Sequence, residues 1–173
     1  GQEVAARDRD IQEVMNYRKT MELINDKGLI INDELIKKLH KITVNKILPA
    51  EKCGEYRKTK VVIKNNQTGQ VSFRPPEANA ILGQIKDLLA FISAKQNKDI
   101  HPVLESGIVH YELVRIHPFV DGNGRVGRAL STLILFVKGY DIRKFFSLEE
   151  YFDRNASNYY LALQSVEKEK GDL

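Results

Sequence analysis

The chain has 173 residues, with 27 Lys and Arg against 23 Asp and Glu, for a net charge of +4. That length suits one domain able to bury a core, and the charge excess is too small for a dedicated polybasic nucleic-acid surface. With 42% apolar residues, 11 Gly, 5 Pro and one cysteine, Cys53, the composition excludes a low-complexity chain, an intramolecular disulfide and a multi-cysteine zinc site.

In chain order, a helix is predicted over residues 8–25. Its apolar stripe is Ile11, Val14, Met15, Leu23 and Ile24, filled out by Tyr17 and Met21, and Gly28 is its stop. Asn32 reads as the N-cap of a second helix carrying Leu35, Ile36, Leu39 and Ile42, with Pro49 past its end. One β signal follows. Val61-Val62-Ile63 and Val71-Ser72-Phe73 flank Asn65-Asn66-Gln67-Thr68-Gly69, turn chemistry suited to a hairpin. The Lys-rich residues 57–64 read as an exposed strand. Pro75-Pro76 end the hairpin and lead to a helix with Ile81, Leu82, Ile85, Leu88, Leu89 and Ile92 on one face. Pro102 opens a helix running to Ile116, and residues 126–137 form another. Both are apolar nearly all round, as helices at the centre of a bundle are. The densest apolar run, residues 130–137, is far short of a bilayer span. A last helix over about residues 155–168 carries Tyr159, Tyr160, Leu163 and Val166. The fold class is therefore mainly α, with one small β-hairpin. No repeat or linker marks a second domain. There is no signal peptide, and a lone cysteine suits a reducing compartment, so a cytoplasmic location is expected.

Chemistry concentrates between the two apolar helices, in His117-Pro118-Phe119-Val120-Asp121-Gly122-Asn123-Gly124-Arg125-Val126-Gly127-Arg128. Three glycines within six residues permit close backbone approach to a ligand. A helix starting near Asn123 would turn its free N–H groups and its dipole toward an anion. Arg125 and Arg128, three apart, project from the same side of its first turn. Asp121 is a hard oxygen ligand for a divalent cation, and His117 can act as a base near neutral pH. Together they point to transfer of a nucleotide phosphate.

These twelve residues resemble the signature of Fic domains, His-Pro-Phe-x-Asp-Gly-Asn-Gly-Arg-x-x-Arg, at every specified position. Gly54-Glu55-Tyr56-Arg57, the hairpin up to Pro75-Pro76, His101-Pro102, His110-Tyr111 and Tyr159-Tyr160 extend the resemblance over roughly residues 12–171. It implies a Fic-fold helical bundle with a hairpin flap, about residues 61–75, over the active-site loop. It also implies transfer of AMP from ATP to a Ser, Thr or Tyr hydroxyl of a target protein. His117 would be the catalytic base and Asp121 the ligand of Mg²⁺. Gly122, Asn123 and Gly124 would form the anion hole, with Val126 and Gly127 in the same nucleotide-binding turn. Arg125 would meet the β-phosphate and Arg128 the γ-phosphate. Ile63, Tyr159, Tyr160 and Leu163 would line the adenine and ribose pocket, with Tyr151 a further wall residue. The implied partner is a protein registered by strand addition to the flap. Self-modification and a homodimer are open, no membrane is involved, and DNA enters only through a module beyond residue 173.

Many Fic proteins carry an inhibitory helix whose glutamate pairs with the second motif arginine. No such motif precedes Asp8, and residues 160–164 do not carry one. Arg128 is thus expected to be free. The chain, which starts at Gly1 rather than Met, is expected to be one Fic domain over residues 1–173 cut from a longer protein. His40, His101 and His110 read as structural. Two other functions stand beside AMP transfer: removal of AMP or transfer of another phosphate-containing group on the same fold, and a non-enzymatic helical DNA- or partner-binding module. Such a module would have no reason to keep His117, Asp121, Arg125 and Arg128 together.

Overall fold

The computed structural model describes residues 2–26, 28–64, 69, 71–94, 99–140 and 147–168. Its helices are α1 (Gln2–Leu23), α2 (Asp33–Thr43), α3 (Ile81–Ser93), α4 (Pro102–Ile116), α5 (Asn123–Val137), α6 (Leu148–Arg154) and α7 (Ala156–Lys168). Short 3₁₀ turns occupy Ala50–Lys52 and Ala78–Ala80. No helix among the described residues is long and apolar enough to cross a membrane.

α5 is the axis of the bundle. Val126 and every residue from Ala129 to Phe136 are buried, as its apolar circumference requires. α4 packs along it, and the two are stitched by reciprocal bonds: Ser106 Oγ donates to the Ser131 carbonyl at 3.3 Å, and Ser131 Oγ to the Ser106 carbonyl at 3.0 Å. α2 closes another side with Leu35, Ile36 and Leu39. Its start is set by Asn32, whose side chain accepts from the Leu35 N–H at 2.8 Å. Such a cap contributes about 1 kcal/mol. α3 adds Ile81, Ile85 and Leu88.

Four sequence expectations change. The stripe predicted on α1 holds only at its C-terminal end: Met21, Leu23 and Ile24 pack in or against the core, but Ile11, Val14 and Met15 are exposed, while Asn16 and Thr20 are buried. Asn16 explains the inversion, because its Nδ2 donates to the carbonyls of Thr43 (3.1 Å) and Asn45 (2.7 Å) at the open end of α2. On α4, the first turn leaves Val103 and Leu104 exposed, so that helix is not apolar-buried throughout. The strands are shorter than expected. β1 (Ile63–Lys64) and β2 (Val71–Phe73) pair antiparallel, Ile63 opposite Phe73 and Lys64 opposite Val71 with a register irregularity between them. The turn residues 65–68 lie outside the described residues. Finally, Arg57 does not open an exposed strand but is 4% exposed.

Candidate active site

α4 ends and α5 begins around a loop whose shape is set by its own side chains. His117 caps α4 in the left-handed region (φ 49°, ψ 56°), an uncommon conformation for a residue with a Cβ. Phe119 plugs the core at 0% exposure. Asn123 closes the loop twice, accepting from the Phe119 N–H at 2.9 Å and donating to the Phe119 carbonyl at 3.0 Å. Gly122 takes φ 78°, and a Cβ there would stand 2.7 Å from Val44 Cγ1, so only glycine fits.

Arg57 ties this loop down from a distance. Its backbone N–H donates to the Pro118 carbonyl at 2.8 Å, and its guanidinium donates to the carbonyls of His117 (2.7 Å), Pro76 (2.7 Å), Thr59 (2.9 Å) and Ile116 (3.4 Å). A buried cation thus satisfies carbonyls that the end of α4 leaves open.

The loop borders a cavity of about 340 Å³. His117, Asp121, Gly122, Asn123, Gly124, Arg125 and Arg128 line it on one side. Ile63 and Phe73 from the strands, and Tyr159, Tyr160, Leu163 and Gln164 from α7, line the other. Tyr111, Val114, Arg115 and Val120 complete the wall, and with Phe73 and Gln164 were not foreseen from sequence. Three expected residues do not reach the cavity. Val126 is buried in the core, because a helical residue one step past Arg125 faces inward. Gly127 packs on α4, where a Cβ would meet His110 Nδ1 at 3.1 Å. Tyr151 is 49% exposed on α6. The Asn123 side chain is spent on loop closure, leaving only its main chain for a ligand.

The His117 tautomer follows from its neighbours. Nδ1 lies 3.2 Å from the Val114 carbonyl, which can only accept, so Nδ1 carries the proton and Nε2 keeps its lone pair. Burial, reinforced by the Arg57 charge, outweighs the Val114 carbonyl and Asp121 and holds the imidazole below its ordinary pKa. It is therefore neutral at pH 7. For Asp121, burial works against ionisation, but the Gly122 N–H, Arg125 and Arg9 prevail and hold the carboxyl below its ordinary value.

The charged groups of the site are paired with one another and with distant helices. Asp121 Oδ1 accepts from the Gly122 N–H at 2.6 Å and from Arg125 at 3.3 Å, and Oδ2 accepts from Arg9 of α1 at 2.7 Å. Arg125 also meets Glu13 of α1 at 3.1 Å. Arg128 is not free, contrary to the expectation: both oxygens of Glu149, on α6, accept from its guanidinium in a bidentate pair. Glu149, Arg9, Glu13 and Arg57 were not anticipated as site residues. Glu149 had a legible signal, since Ser147-x-x-Glu150 is a helix-start pattern and Ser147 Oγ accepts from the Glu150 N–H at 3.2 Å.

Asp121 suits a hard divalent cation as one ionised carboxylate. Among the described residues no group of three acidic, His or Cys side chains could hold a metal.

The description "Fic/DOC family" attaches to a family model that matches residues 30–135. The chain is 30% identical over 131 residues to the "Protein adenylyltransferase Fic" of Drosophila willistoni, covering 74% of this chain and 25% of that protein. It is 31% identical over 105 residues to "Protein adenylyltransferase fic-1" of Caenorhabditis elegans, covering 61% of this chain and 19% of that protein. Among solved structures it resembles a Fic family protein from Desulfovibrio desulfuricans G20, with TM-score 0.75 and 29% identity over 93% of this chain and 47% of that one. It also resembles a Fic domain containing signaling protein from Bacteroides thetaiotaomicron, with TM-score 0.65 and 27% identity over 75% of this chain and 49% of that one. The chain thus spans a quarter or less of the two curated relatives' lengths.

Proposed function

The chain belongs to the Fic/DOC family, and from that premise we propose that it is a protein adenylyltransferase. Its substrates are ATP and a protein carrying a Ser, Thr or Tyr hydroxyl. One observation carries the reading: the unprotonated Nε2 of His117 shares a cavity with the N-terminus of α5 and with Arg125 and Arg128. A base and an anion cradle on one cavity are what phosphoryl-group transfer to a hydroxyl needs.

In this mechanism the target hydroxyl oxygen attacks the α-phosphorus of ATP. Its proton passes to Nε2 of His117 as the new P–O bond forms. The bond from the α-phosphorus to the bridging oxygen breaks, and pyrophosphate leaves with the electron pair. The main-chain N–H groups of Asn123 and Gly124 receive the phosphate charge, where the dipole of α5 adds to them, while the Gly122 N–H holds Asp121 Oδ1 beside them. Arg125 neutralises the β-phosphate, and Arg128 the γ-phosphate once phosphate displaces Glu149 from it. Asp121 would hold Mg²⁺, which when bound supplies charge neutralisation across the phosphates. Ile63, Tyr159, Tyr160 and Leu163 enclose the base and ribose.

β1 and β2 border the cavity at Ile63 and Phe73, so an extended target segment pairing with this flap would bring its hydroxyl toward His117. Intact-mass spectrometry of the chain and of added proteins after incubation with MgATP tests the reaction. A gain of one AMP less water is expected, and a gain of one phosphoryl group would replace this reading with a kinase.

A further inference from the structure

We propose that His40, on α2, is a positioning residue for the nucleotide site: it fixes the Asp121–Gly122 peptide in the orientation in which the Gly122 N–H holds the Asp121 carboxylate. The inference deepens the nucleotide-site reading above and rests on it.

His40 is fully buried, and three contacts define it. Its Nδ1 lies 2.8 Å from the Gly54 N–H, which can only donate, so Nδ1 bears the lone pair and Nε2 bears the proton. The Nε2–H therefore donates to the Asp121 carbonyl, 3.1 Å away and 81 residues along the chain. The ring lies flat on Phe119 of the loop, with centroids 3.7 Å apart and planes 5° from parallel.

The consequence follows from peptide geometry. In a trans peptide the C=O and the N–H point to opposite sides. With the Asp121 oxygen held against α2, the Gly122 N–H must face away from it. There it donates to Asp121 Oδ1 at 2.6 Å. That carboxylate oxygen is thus oriented by the same peptide. A Cβ at Gly122 would stand 2.7 Å from Val44 Cγ1 and 3.5 Å from His40 Cδ2, so only glycine brings this peptide so close to α2. A core histidine with no such role would need only a partner for each nitrogen. This one directs its single donor to the peptide that carries a proposed metal ligand.

Two amide substitutions separate positioning from packing. In His40→Asn the side-chain oxygen replaces Nδ1 and keeps the Gly54 bond, but nothing reaches Asp121. In His40→Gln the longer amide replaces Nε2 and still donates to the Asp121 carbonyl. Both lose the ring stack. The expected result is comparable loss of melting temperature in the two variants, with affinity for Mn²⁺-ATP, read by calorimetry, weakened roughly tenfold in His40→Asn and nearly kept in His40→Gln, the scale of one hydrogen bond. The Gly122 amide, followed by NMR hydrogen exchange without nucleotide, should stay protected in His40→Gln and open in His40→Asn. Equal behaviour of the two variants in both measurements overturns the inference. If Gly122 exchange separates them but even the parent chain binds no Mn²⁺-ATP, the peptide is positioned as described and the nucleotide reading is what fails. Should neither variant fold, the tautomer of His40 in the parent chain decides by two-bond ¹H–¹⁵N NMR. A proton on Nε2 supports the inference, and a proton on Nδ1 overturns it.

Discussion

His117 combines a left-handed backbone, a neutral imidazole and a proton parked on the Val114 carbonyl. Each feature leaves Nε2 free to accept a proton. His117→Ala should therefore lower AMP transfer by about 10²- to 10⁴-fold, the usual worth of a general base. Nucleotide affinity should change little, since in the proposed mechanism the imidazole acts on the hydroxyl rather than on phosphate. Affinity falling in step with rate would assign His117 a binding role instead. Because its pKa is lowered, the acid limb of the rate profile should lie below the ordinary histidine value of 6.5. A limb at or above pH 7 would contradict the neutral base. That His117, Asp121, Arg125 and Arg128 meet at one cavity was legible in sequence because one contiguous stretch carries them. The partners that orient it were not, since Arg57 and His40 lie 60 and 81 residues from the carbonyls of His117 and Asp121 they bind.

α6 was missing from the sequence reading, and it changes the state of the site. Seven residues offer little periodicity, so only its capping pattern could have revealed it. Through Glu149 it occupies Arg128, the arginine assigned to the γ-phosphate. The two groups are only 13% and 22% exposed, so the pair is poorly screened and a phosphate must compete with it. Glu149→Gln should strengthen ATP binding by roughly three- to tenfold, the order expected from weakening one bidentate ion pair. A weaker affinity would mean that Glu149 orients Arg128 rather than masking it. α1 was misread for a different reason. The spacing of Ile11, Val14 and Met15 is helical, but the face turned to α2 presents Asn16 and Thr20 to polar groups. The same helix sends Arg9 and Glu13 to Asp121 and Arg125. Periodicity counts apolar residues and cannot see a helix end that needs hydrogen bonds.

Across the whole molecule, the apolar centre was the easiest part to read: α5 and the inner face of α4 build it with residues of α2 and α3, all at helical spacing. What sequence could not show is how much of that centre is polar. His40 and His110 are both buried and both held neutral, with pKa values pushed down to about 4 by burial. The unfolded chain takes up protons at these imidazoles below about pH 6.5, whereas the folded chain does not until about pH 4. Stability should therefore fall as pH drops through that window. The melting temperature measured from pH 7 to pH 5 should decline, and less steeply in His40→Gln, which removes one of the two groups. A flat profile would place protonated imidazoles in the fold.

In the proposed reaction this cavity transfers AMP and not phosphate. It is tested most directly by incubating the chain, alone and with candidate target proteins, with ATP labelled at either the α- or the γ-phosphorus. Only the α-label is expected to become covalently bound to protein, with pyrophosphate released and with incorporation lost in His117→Ala. Covalent γ-label, or α-label incorporation undiminished by that substitution, would contradict it.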